Sequence, residues 1–281
     1  MAIGPSRTAV AAAVSRAIHL MDSAPQVFND TLALDLAGEE GQARLAELRK
    51  LPEESLYPMA MLFAIRSRYV EDMVEAAVAE GVTQYVLLGA GLDSFAYRRG
   101  DLLEQRLRVF EVDAPGTQAY KRSRLEELGV ATPEGLTFVP VDFEKDALVD
   151  SLVAAGLNPL APVALSWIAV IPYLTRPAID ATLDAVSSLP PGSRIALSYT
   201  LPPEVMNERN RRGFHWTANR TAEVGEPFQT LFEPAQIERA LRVLGFSRVD
   251  HFTSRDAKRR YLADRPDLDL ADIERLLTAT I

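Results

Sequence analysis

A short apolar run that leads directly into two closely spaced glycines constrains the fold of this chain more than any other feature. Residues Tyr85–Leu88 have the apolar character of a buried strand, and Gly89–Gly91 have the character of a tight turn. A second strand-like run, Val109–Val112, follows about twenty residues later and ends at Asp113. A strand, a glycine turn, a helix and a second strand are the repeating unit of a parallel α/β sheet.

Further strand-like runs alternate with helical stretches over the middle of the chain. The runs cover residues 85–89, 108–112, 136–141, 163–171 and 194–200. This alternation predicts an α/β fold in which a parallel sheet has helices on both faces. A short last strand is predicted at Val249–Phe252, and the remaining tail, which ends with Ile273–Leu277, is predicted to be helical.

The chain is predicted to form a single domain of four parts. Residues 1–80 form a helical cap, in which one long helix covers Tyr57–Glu80. Residues 81–200 form the cofactor-binding core. Residues 201–231 interrupt the alternation and form a lid insertion above the carboxyl ends of the strands, where ligands bind in such sheets. Residues 232–281 complete the core.

The glycine turn and the acid after the second strand predict a ligand that contains ribose. Glycines allow close approach of the backbone, and an acid at the position of Asp113 accepts hydrogen bonds from ribose hydroxyls. A dinucleotide site needs a third glycine, and that position is Ser94. This difference favours an adenosine cofactor without phosphates, which S-adenosylmethionine fits best. It disfavours an NAD-linked oxidoreductase or a nucleotide-binding regulator.

Three ordered motifs resemble those of a known family. They are Gln84–Arg98 (QYVLLGAGLDSFAYR), Val109–Pro115 (VFEVDAP) and Val139–Phe143 (VPVDF). By these motifs the chain resembles the leucine carboxyl methyltransferase-like enzymes, which use S-adenosylmethionine and many of which are bacterial. The resemblance covers roughly residues 60–200 well. It implies a Rossmann-like class I methyltransferase sheet.

The resemblance also implies cofactor contacts at the ends of the strands. It assigns the ribose contact to Asp113, with Glu111 as a second acid on the same strand face. It assigns the adenine pocket to Asp142 and Phe143, where the carboxylate accepts a hydrogen bond from the adenine amino group. The turn that faces the cofactor consists of Gly89, Ala90 and Gly91.

Two further positions concern the methionine part of the cofactor. In the family, an arginine from the helix before the first strand binds the methionine carboxylate, and Arg66 matches that position better than Arg68. Family members often carry Glu-Gly where this chain has Ile168 and Ala169, and that acid helps to hold the cofactor's amino group. We therefore expect backbone carbonyls, such as those of Gly89 or Ile168, to hold the amino group here.

The acceptor side is predicted from a family tyrosine and from the lid. Tyr173 matches the tyrosine, and Tyr173 and His215 are the candidate catalytic residues for an acceptor that needs a base. Arg211, Arg212 and Trp216 are the candidate substrate-binding residues. Guanidinium groups can orient an acidic substrate, and an aromatic ring can exclude water from it.

The motifs contain no constellation of His, Cys and Lys side chains, and this favours a carboxylate acceptor. A carboxylate is already ionised at neutral pH, so alignment with the methyl donor is sufficient. We expect an O-methyltransferase that forms a methyl ester on a small molecule or a peptide-like natural product. The alternatives are methylation of a hydroxyl and a non-catalytic cofactor-binding role.

Composition limits the possible partners. The net charge of −9 argues against a nucleic acid, which usually needs a basic surface. No apolar run is long enough to cross a bilayer, so no membrane partner is expected. The absence of cysteine is compatible with a cytoplasmic location. The three histidines show no metal-ligand spacing, so we expect no metal.

Overall fold

The computed structural model describes residues 6–281, which contain one seven-stranded sheet. The strands are β1 (Gln84–Leu88), β2 (Arg108–Asp113), β3 (Leu136–Pro140), β4 (Ala164–Trp167), β5 (Arg194–Thr200), β6 (Arg248–Phe252) and β7 (Glu274–Thr280). Their order across the sheet is β3-β2-β1-β4-β5-β7-β6. Neighbours among the first five strands are parallel, whereas β7 is antiparallel to both β5 and β6. The order reverses between β1 and β4, where open α/β sheets bind ligands.

Helices cover both faces of this sheet. They are α1 (Arg7–Asp22), α2 (Ala33–Leu48), α3 (Glu53–Ala79), α4 (Phe95–Arg98), α5 (Gly100–Glu104), α6 (Pro115–Glu127), α7 (Leu148–Ala154), α8 (Arg176–Ser187), α9 (Glu208–Glu223), α10 (Pro234–Val243) and α11 (Ser254–Tyr261). One face packs against α7, α8 and α10, and the other packs against α3, α4 and α5. The predicted Rossmann-like α/β fold is therefore confirmed.

The apolar character of β1 follows from its central position. All five of its residues are buried. Val86 and Leu88 belong to the core on one face of the sheet, and Tyr85 and Leu87 belong to the core on the other face. A strand with helices on both sides therefore needs a continuous apolar run rather than an alternating one.

The tail is a strand and not a helix, so this prediction was wrong. β7 pairs with β5 along its whole length, and Leu276 and Leu277 enter the cores on opposite faces of the sheet. A short apolar run has no clear periodicity, and here pairing with β5 decides its structure. As a result, Glu274 lies opposite Thr200 at the edge where β5 ends.

Two boundaries also differ from the prediction. β4 ends at Trp167 rather than at residue 171, because Ala169 has a left-handed φ of +57° that a strand does not adopt. The residues Ile171–Tyr173 then form a 3₁₀ turn. The long helix α3 begins at Glu53, one turn earlier than predicted.

The cap helices α1 and α2 pack together with the start of α3 in a core of their own. The start of α1 reaches the glycine turn, since a Cβ on Gly91 would lie 3.2 Å from the Cβ of Ala9. At the other end of α1, Nε2 of His19 accepts the N–H groups of Val27 and Phe28, at 3.1 and 3.3 Å. Burial disfavours the charged imidazolium and lowers the pKa of His19 to about 4.

None of the helices within residues 6–281 is both long and apolar enough to cross a membrane. This part of the chain also contains no group of three or more His, Cys, Asp or Glu side chains that could hold a metal ion.

Candidate active site

The turn after β1 requires glycine at its first position. Gly89 has a φ of +69°, and a Cβ at this position would lie only 2.2 Å from Cγ2 of Val170. The N–H groups of Gly89 and Ala90 both donate to the carbonyl of Val112, at 2.8 and 3.0 Å. The turn is thereby fixed against the end of β2.

Asp113 is the last residue of β2 and lies beside this turn. Its Oδ2 accepts the N–H of Gly91 at 2.5 Å, and its Oδ1 accepts the N–H of Ala114 at 2.7 Å. Burial raises the pKa of Asp113, and the two N–H groups oppose the rise. Each carboxylate oxygen can accept a further hydrogen bond. The carboxylate and the glycine turn together therefore fit an adenosine ligand.

Glu111 lies on the same strand but has a different partner. Its Oε2 accepts a hydrogen bond from Nζ of Lys121 in α6 at 2.5 Å, and both side chains are only 1% exposed. Burial raises the pKa of Glu111, and the charge of Lys121 opposes the rise. In this structure Glu111 therefore ties α6 to β2.

Asp142 and Phe143 follow β3, next to the end of β2. The Asp142 carboxylate accepts the N–H of Glu144 at 3.0 Å. It also pairs with Lys145, which holds the pKa of Asp142 below its usual range. The ring of Phe143 packs near Trp167, with 6.1 Å between the ring centroids. The two residues predicted to line the adenine pocket therefore lie at the same edge of the sheet as Asp113. One carboxylate oxygen of Asp142 is paired with Lys145.

The segment after β4 supplies backbone groups and an apolar side chain. Ile168 is half-buried and packs against the core that contains α3. Ala169 has the left-handed conformation that usually belongs to glycine, and its N–H donates to Oγ of Ser198 at 2.7 Å. This segment therefore keeps the backbone shape of a glycine turn without having the glycine.

A buried ion pair connects α3 with β7. Nη1 of Arg66 donates to Oε2 of Glu274, and the two side chains are 8% and 11% exposed. The guanidinium also lies over the ring of Phe63, 3.9 Å from its centroid. Oε1 of Glu274 is buried and has no hydrogen-bond partner among the described residues. Glu274 therefore has one oxygen that a ligand could use.

The charges of this ion pair act on Tyr173. Burial raises the pKa of its hydroxyl, the negative charge of Glu274 adds to the rise, and Arg66 opposes it. The ring of Tyr173 packs on Phe228 of the lid, with 5.5 Å between the ring centroids. Tyr173 therefore contacts the lid and is within the electrostatic influence of the Arg66–Glu274 pair.

The lid, residues 201–231, contains α9 and covers Tyr173. The buried residues of α9 are Asn210, Phe214 and Thr221. Phe214 packs on Phe228, with 5.8 Å between the ring centroids. The lid also meets the cap, because the N–H of Thr8 donates to Oε2 of Glu226 at 3.2 Å. Cap and lid therefore join above the ends of the strands.

The other predicted lid residues lie on the exposed face of α9. They are Arg211, Arg212, His215 and Trp216. The guanidinium of Arg211 donates to the carbonyls of Pro203 and Met206, at 3.1 and 3.0 Å, and Arg212 pairs with Glu208. A helix that buries residues 210 and 214 directs residues 211, 212, 215 and 216 outward. The structure therefore does not bring these four side chains to Tyr173.

Sequence reasoning missed two features of the site. One is Glu274, which lies in the tail that was predicted to be helical. The other is a buried network around Ser94, whose Oγ donates to Asp30 at 2.5 Å and accepts from Arg98 at 2.7 Å. Arg16 donates to the second oxygen of Asp30 at 2.7 Å. Burial alone would raise the pKa of Asp30, but Arg16 and Arg98 hold it below its usual value.

Ser94 stands at the position of the third glycine of dinucleotide sites, and this network shows its structural role. Ser94 joins the glycine turn to the cap, because Arg16 also donates to the carbonyl of Leu92 at 2.9 Å. The only signal in the sequence was a serine at a position where dinucleotide sites have glycine. That signal disfavoured a dinucleotide site but gave no indication of Asp30.

The sequence is similar to a known family over most of its length. The family model described as leucine carboxyl methyltransferase matches residues 9–187. The Bacillus subtilis protein named "Putative S-adenosyl-L-methionine-dependent methyltransferase YktD" is 30% identical over 93% of this chain and 93% of its own length. A Frankia alni protein whose name gives the same activity is 37% identical over 68% of this chain and 67% of its own length.

The structure is similar to a crystal structure of a DUF574 family protein from Streptomyces avermitilis. The TM-score is 0.60 at 17% identity, and the match covers 95% of this chain and 96% of that chain. At this identity the similarity shows the fold alone. The sequence similarities confirm the predicted class, a methyltransferase, and the predicted cofactor, S-adenosylmethionine.

Proposed function

This chain belongs to the leucine carboxyl methyltransferase family, and we propose that it forms a methyl ester on a carboxylate of a small molecule or a peptide-like natural product. The proposal rests on which residues surround Tyr173. Its charged neighbours are Arg66, Glu274 and Glu226, whereas the lid histidine, His215, lies on the exposed face of α9. A carboxylate acceptor is already ionised at neutral pH and needs no base, so surroundings that His215 does not enter suit it.

We place the cofactor along the edge formed by the ends of β1, β2 and β3. Asp113 would accept hydrogen bonds from the ribose hydroxyls, and Asp142 with Phe143 would hold the adenine ring. The backbone of Gly89, Ala90 and Gly91 would lie against the cofactor, with Ile168 at its border. The cofactor supplies a methyl group on a positively charged sulfur, which makes that methyl group electrophilic.

We propose that Arg66 binds the methionine carboxylate of the cofactor at the end of this edge. Its pairing with Glu274 fixes the direction of the guanidinium and leaves its remaining N–H groups as donors. Carbonyl groups such as those of Gly89 and Ile168 would hold the cofactor's amino group, because position 168 carries no acid. Removal of Arg66 would then leave Glu274 buried without a counter-charge.

The proposed reaction depends mainly on alignment. The acceptor carboxylate is ionised at neutral pH, because carboxyl groups have a pKa of about 4. When the enzyme holds the carboxylate in line with the methyl group, the bimolecular reaction becomes effectively unimolecular. Phe214, Phe228 and Tyr173 form an aromatic wall that would exclude water from the reacting atoms. Arg211, Arg212 and Trp216 have no part in this proposal, because they lie on the outer face of α9.

A labelling experiment tests the proposal. The protein is incubated with methyl-labelled S-adenosylmethionine and a library of organic acids, and the products are treated with hydroxylamine. A methyl ester loses its label in this treatment, whereas a methyl ether keeps it. Labelled products that all resist hydroxylamine would contradict ester formation. Asp113→Asn serves as the control for labelling that does not depend on the cofactor site.

A second candidate function is methylation of a hydroxyl, and one observation favours it. Oε1 of Glu274 is buried without a hydrogen-bond partner within residues 6–281, and the residue lies beside Tyr173. Such an oxygen could take the proton of an acceptor hydroxyl. The sequence-based candidates for this base were His215 and Tyr173. In this alternative Glu274→Gln would abolish the transfer to a hydroxyl acceptor.

A further inference from the structure

A cavity of about 400 Å³ lies between the start of α9 and the segment 269–272. This volume is within the range of small-molecule sites. The polar residues that line the cavity are Asn207, Arg209, Asn210, Ser254, Asp269 and Asp272. We call this cavity the lid chamber. None of its polar residues takes part in the proposed cofactor contacts.

A smaller cavity adjoins the lid chamber. It is lined by Arg66 and Glu274, and it shares Ser254 and Leu270 with the lid chamber. Tyr173 lines neither cavity. The lid chamber is therefore a site separate from the surroundings of Tyr173.

The charges around the lid chamber are already matched. Arg209 pairs with Asp269 across the cavity. Oδ2 of Asp272 accepts a hydrogen bond from Arg275 at 2.9 Å. A charged ligand would gain little here, because Arg209 and Asp269 are 57% and 69% exposed and already neutralise each other. The lid chamber therefore favours an uncharged ligand group.

The free hydrogen-bonding groups of the lid chamber include both donors and acceptors. Asn210 is 9% exposed, and its side chain has no hydrogen bond to any described residue. The side chain of Asn207 accepts the N–H of Asn210 at 2.9 Å, which leaves its NH₂ group as a donor. Oδ1 of Asp272 is buried and lacks a partner within the described part of the chain.

These groups match an amide better than an apolar chain. A carboxamide offers two donors and an acceptor, so Asn210 can pair with both the C=O and the N–H of an amide. The unpartnered oxygen of Asp272 requires a donor, which an amide N–H supplies. An apolar ligand would leave the buried amide of Asn210 and the buried oxygen of Asp272 without partners, at a cost in affinity.

We propose that the lid chamber binds a small ligand through an uncharged amide group, as in a peptide backbone. The inference does not depend on the proposed function. Asn210 is the principal specificity residue. Its amide pairs with that of the ligand, while Asn207 and Asp272 complete the set of hydrogen bonds.

Selective ¹⁵N labelling of asparagine side chains tests the proposal directly. The chain has five asparagines, Asn29, Asn158, Asn207, Asn210 and Asn219. N-acetylglycinamide is titrated as the amide probe, and 1-hexanol and glycerol are titrated as apolar and polyol probes. The amide probe is expected to shift the side-chain signals of Asn207 and Asn210. The signal of Asn219, on the exposed face of the same helix, is expected not to move.

Two variants on α9 form a matched pair. Asn210→Ala is expected to weaken binding of the amide probe about tenfold, which is the loss expected for one or two hydrogen bonds. Asn219→Ala is expected to leave binding unchanged. Because the side chain of Asn210 has no hydrogen bond to the described residues, its removal is not expected to unfold the protein.

Several results would overturn the proposal. They are tighter binding of 1-hexanol or glycerol than of the amide, shifts at Asn219 without shifts at Asn210, and equal affinity in Asn210→Ala and the wild type. None of these measurements involves methyl transfer. A hydroxylamine-resistant product would contradict ester formation and leave the lid chamber proposal intact.

Discussion

The proposed cofactor side and the proposed acceptor side of this molecule are assembled in different ways. The cofactor side, at the ends of β1, β2 and β3, is joined by contacts between residues close in sequence, such as Gly91 and Asp113, which are 22 residues apart. The acceptor side, around Tyr173 and the lid, is joined by distant residues. Arg66 and Glu274 are 208 residues apart, and Thr8 and Glu226 are 218 apart.

This difference explains why the residues of the cofactor side can be predicted from the sequence better than those of the acceptor side. A strand, a turn and an acid that follow one another in sequence determine most of the ribose site through local geometry. The acceptor side depends on which face of α9 is buried and on which strand β7 joins. A local substitution should therefore damage the cofactor side directly, whereas the acceptor side should respond to changes in the docking of cap, lid and tail.

The largest expected effect is at the glycine turn. Gly89→Ala places a Cβ 2.2 Å from Cγ2 of Val170 at a φ of +69°. We expect a loss of about 3–4 kcal/mol in the free energy of unfolding, from overpacking and from the left-handed conformation. Urea denaturation measures this loss. Gly116→Ala, where no atom lies within 4 Å of the added Cβ, is the control and should change stability by less than about 1 kcal/mol.

A double variant separates the two causes. Val170→Ala removes the methyl group that an alanine at position 89 would meet. If the clash dominates, Val170→Ala combined with Gly89→Ala should recover part of the lost stability. Gly89→Ala with wild-type stability would contradict the tight local assembly of the cofactor side.

The next largest effect is the pH dependence of stability that His19 gives to the helical cap. The folded pKa of about 4 lies below the unfolded value of about 6.5, so the folded state binds this proton less readily. The neutral imidazole therefore contributes stability that is fully present above about pH 6.5 and is lost as the pH falls towards 4. We expect a loss of up to about 3 kcal/mol over this range.

Denaturation of the wild type and of His19→Gln between pH 4 and pH 7 measures the contribution of His19. The variant should show a weaker pH dependence, because it lacks the titrating group. Identical pH dependence in the two proteins would show that His19 is not buried in its neutral form.

A smaller effect is expected for cofactor affinity at Asp113. Asp113→Asn should weaken S-adenosylmethionine binding by about 1–3 kcal/mol, because hydrogen bonds to a charged acceptor are lost. Calorimetry measures the affinity, and thermal unfolding confirms that the variant is folded. Unchanged affinity in the folded variant would remove Asp113 from the ribose site.

The smallest effect on stability is expected at Ala169, next to Ile168 at the border of the proposed cofactor site. Ala169→Gly should raise the free energy of unfolding by about 1 kcal/mol, because it relieves a left-handed conformation at φ +57°. Ala185→Gly, within α8, is the control and should lower stability by about the same amount. A loss of stability in Ala169→Gly would contradict the backbone conformation of this segment.

The sequence predicted the positions of the first six strands along the chain, because the central strands are continuous apolar runs followed by turns. It did not predict the antiparallel edge formed by β6 and β7. It predicted that the Gly89–Gly91 turn and Asp113 serve one ligand, and the structure shows them in contact. It failed for β7, where the Leu276-Leu277 run fits either a helix or a strand and only pairing with β5 decides between them.

The acceptor side shows the same limit. Composition identified the lid as rich in arginine and aromatic residues, but it could not decide which residues face inward. The helical phase buries Asn210 and Phe214 and exposes His215 and Trp216. Glu274 could not be identified as a site residue until the tail was known to be a strand that ends next to β5.

The central claim is that methyl transfer to a carboxylate needs no base from the enzyme. The direct test is the single-turnover rate of methyl transfer between pH 6 and pH 8, measured in the wild type and in Glu274→Gln with the same acceptor. The two profiles should be level and equal in shape, because a carboxyl group with a pKa of about 4 is ionised throughout this range. A rate that falls at least about hundredfold in a folded Glu274→Gln variant would show that Glu274 acts as a base and would contradict the claim.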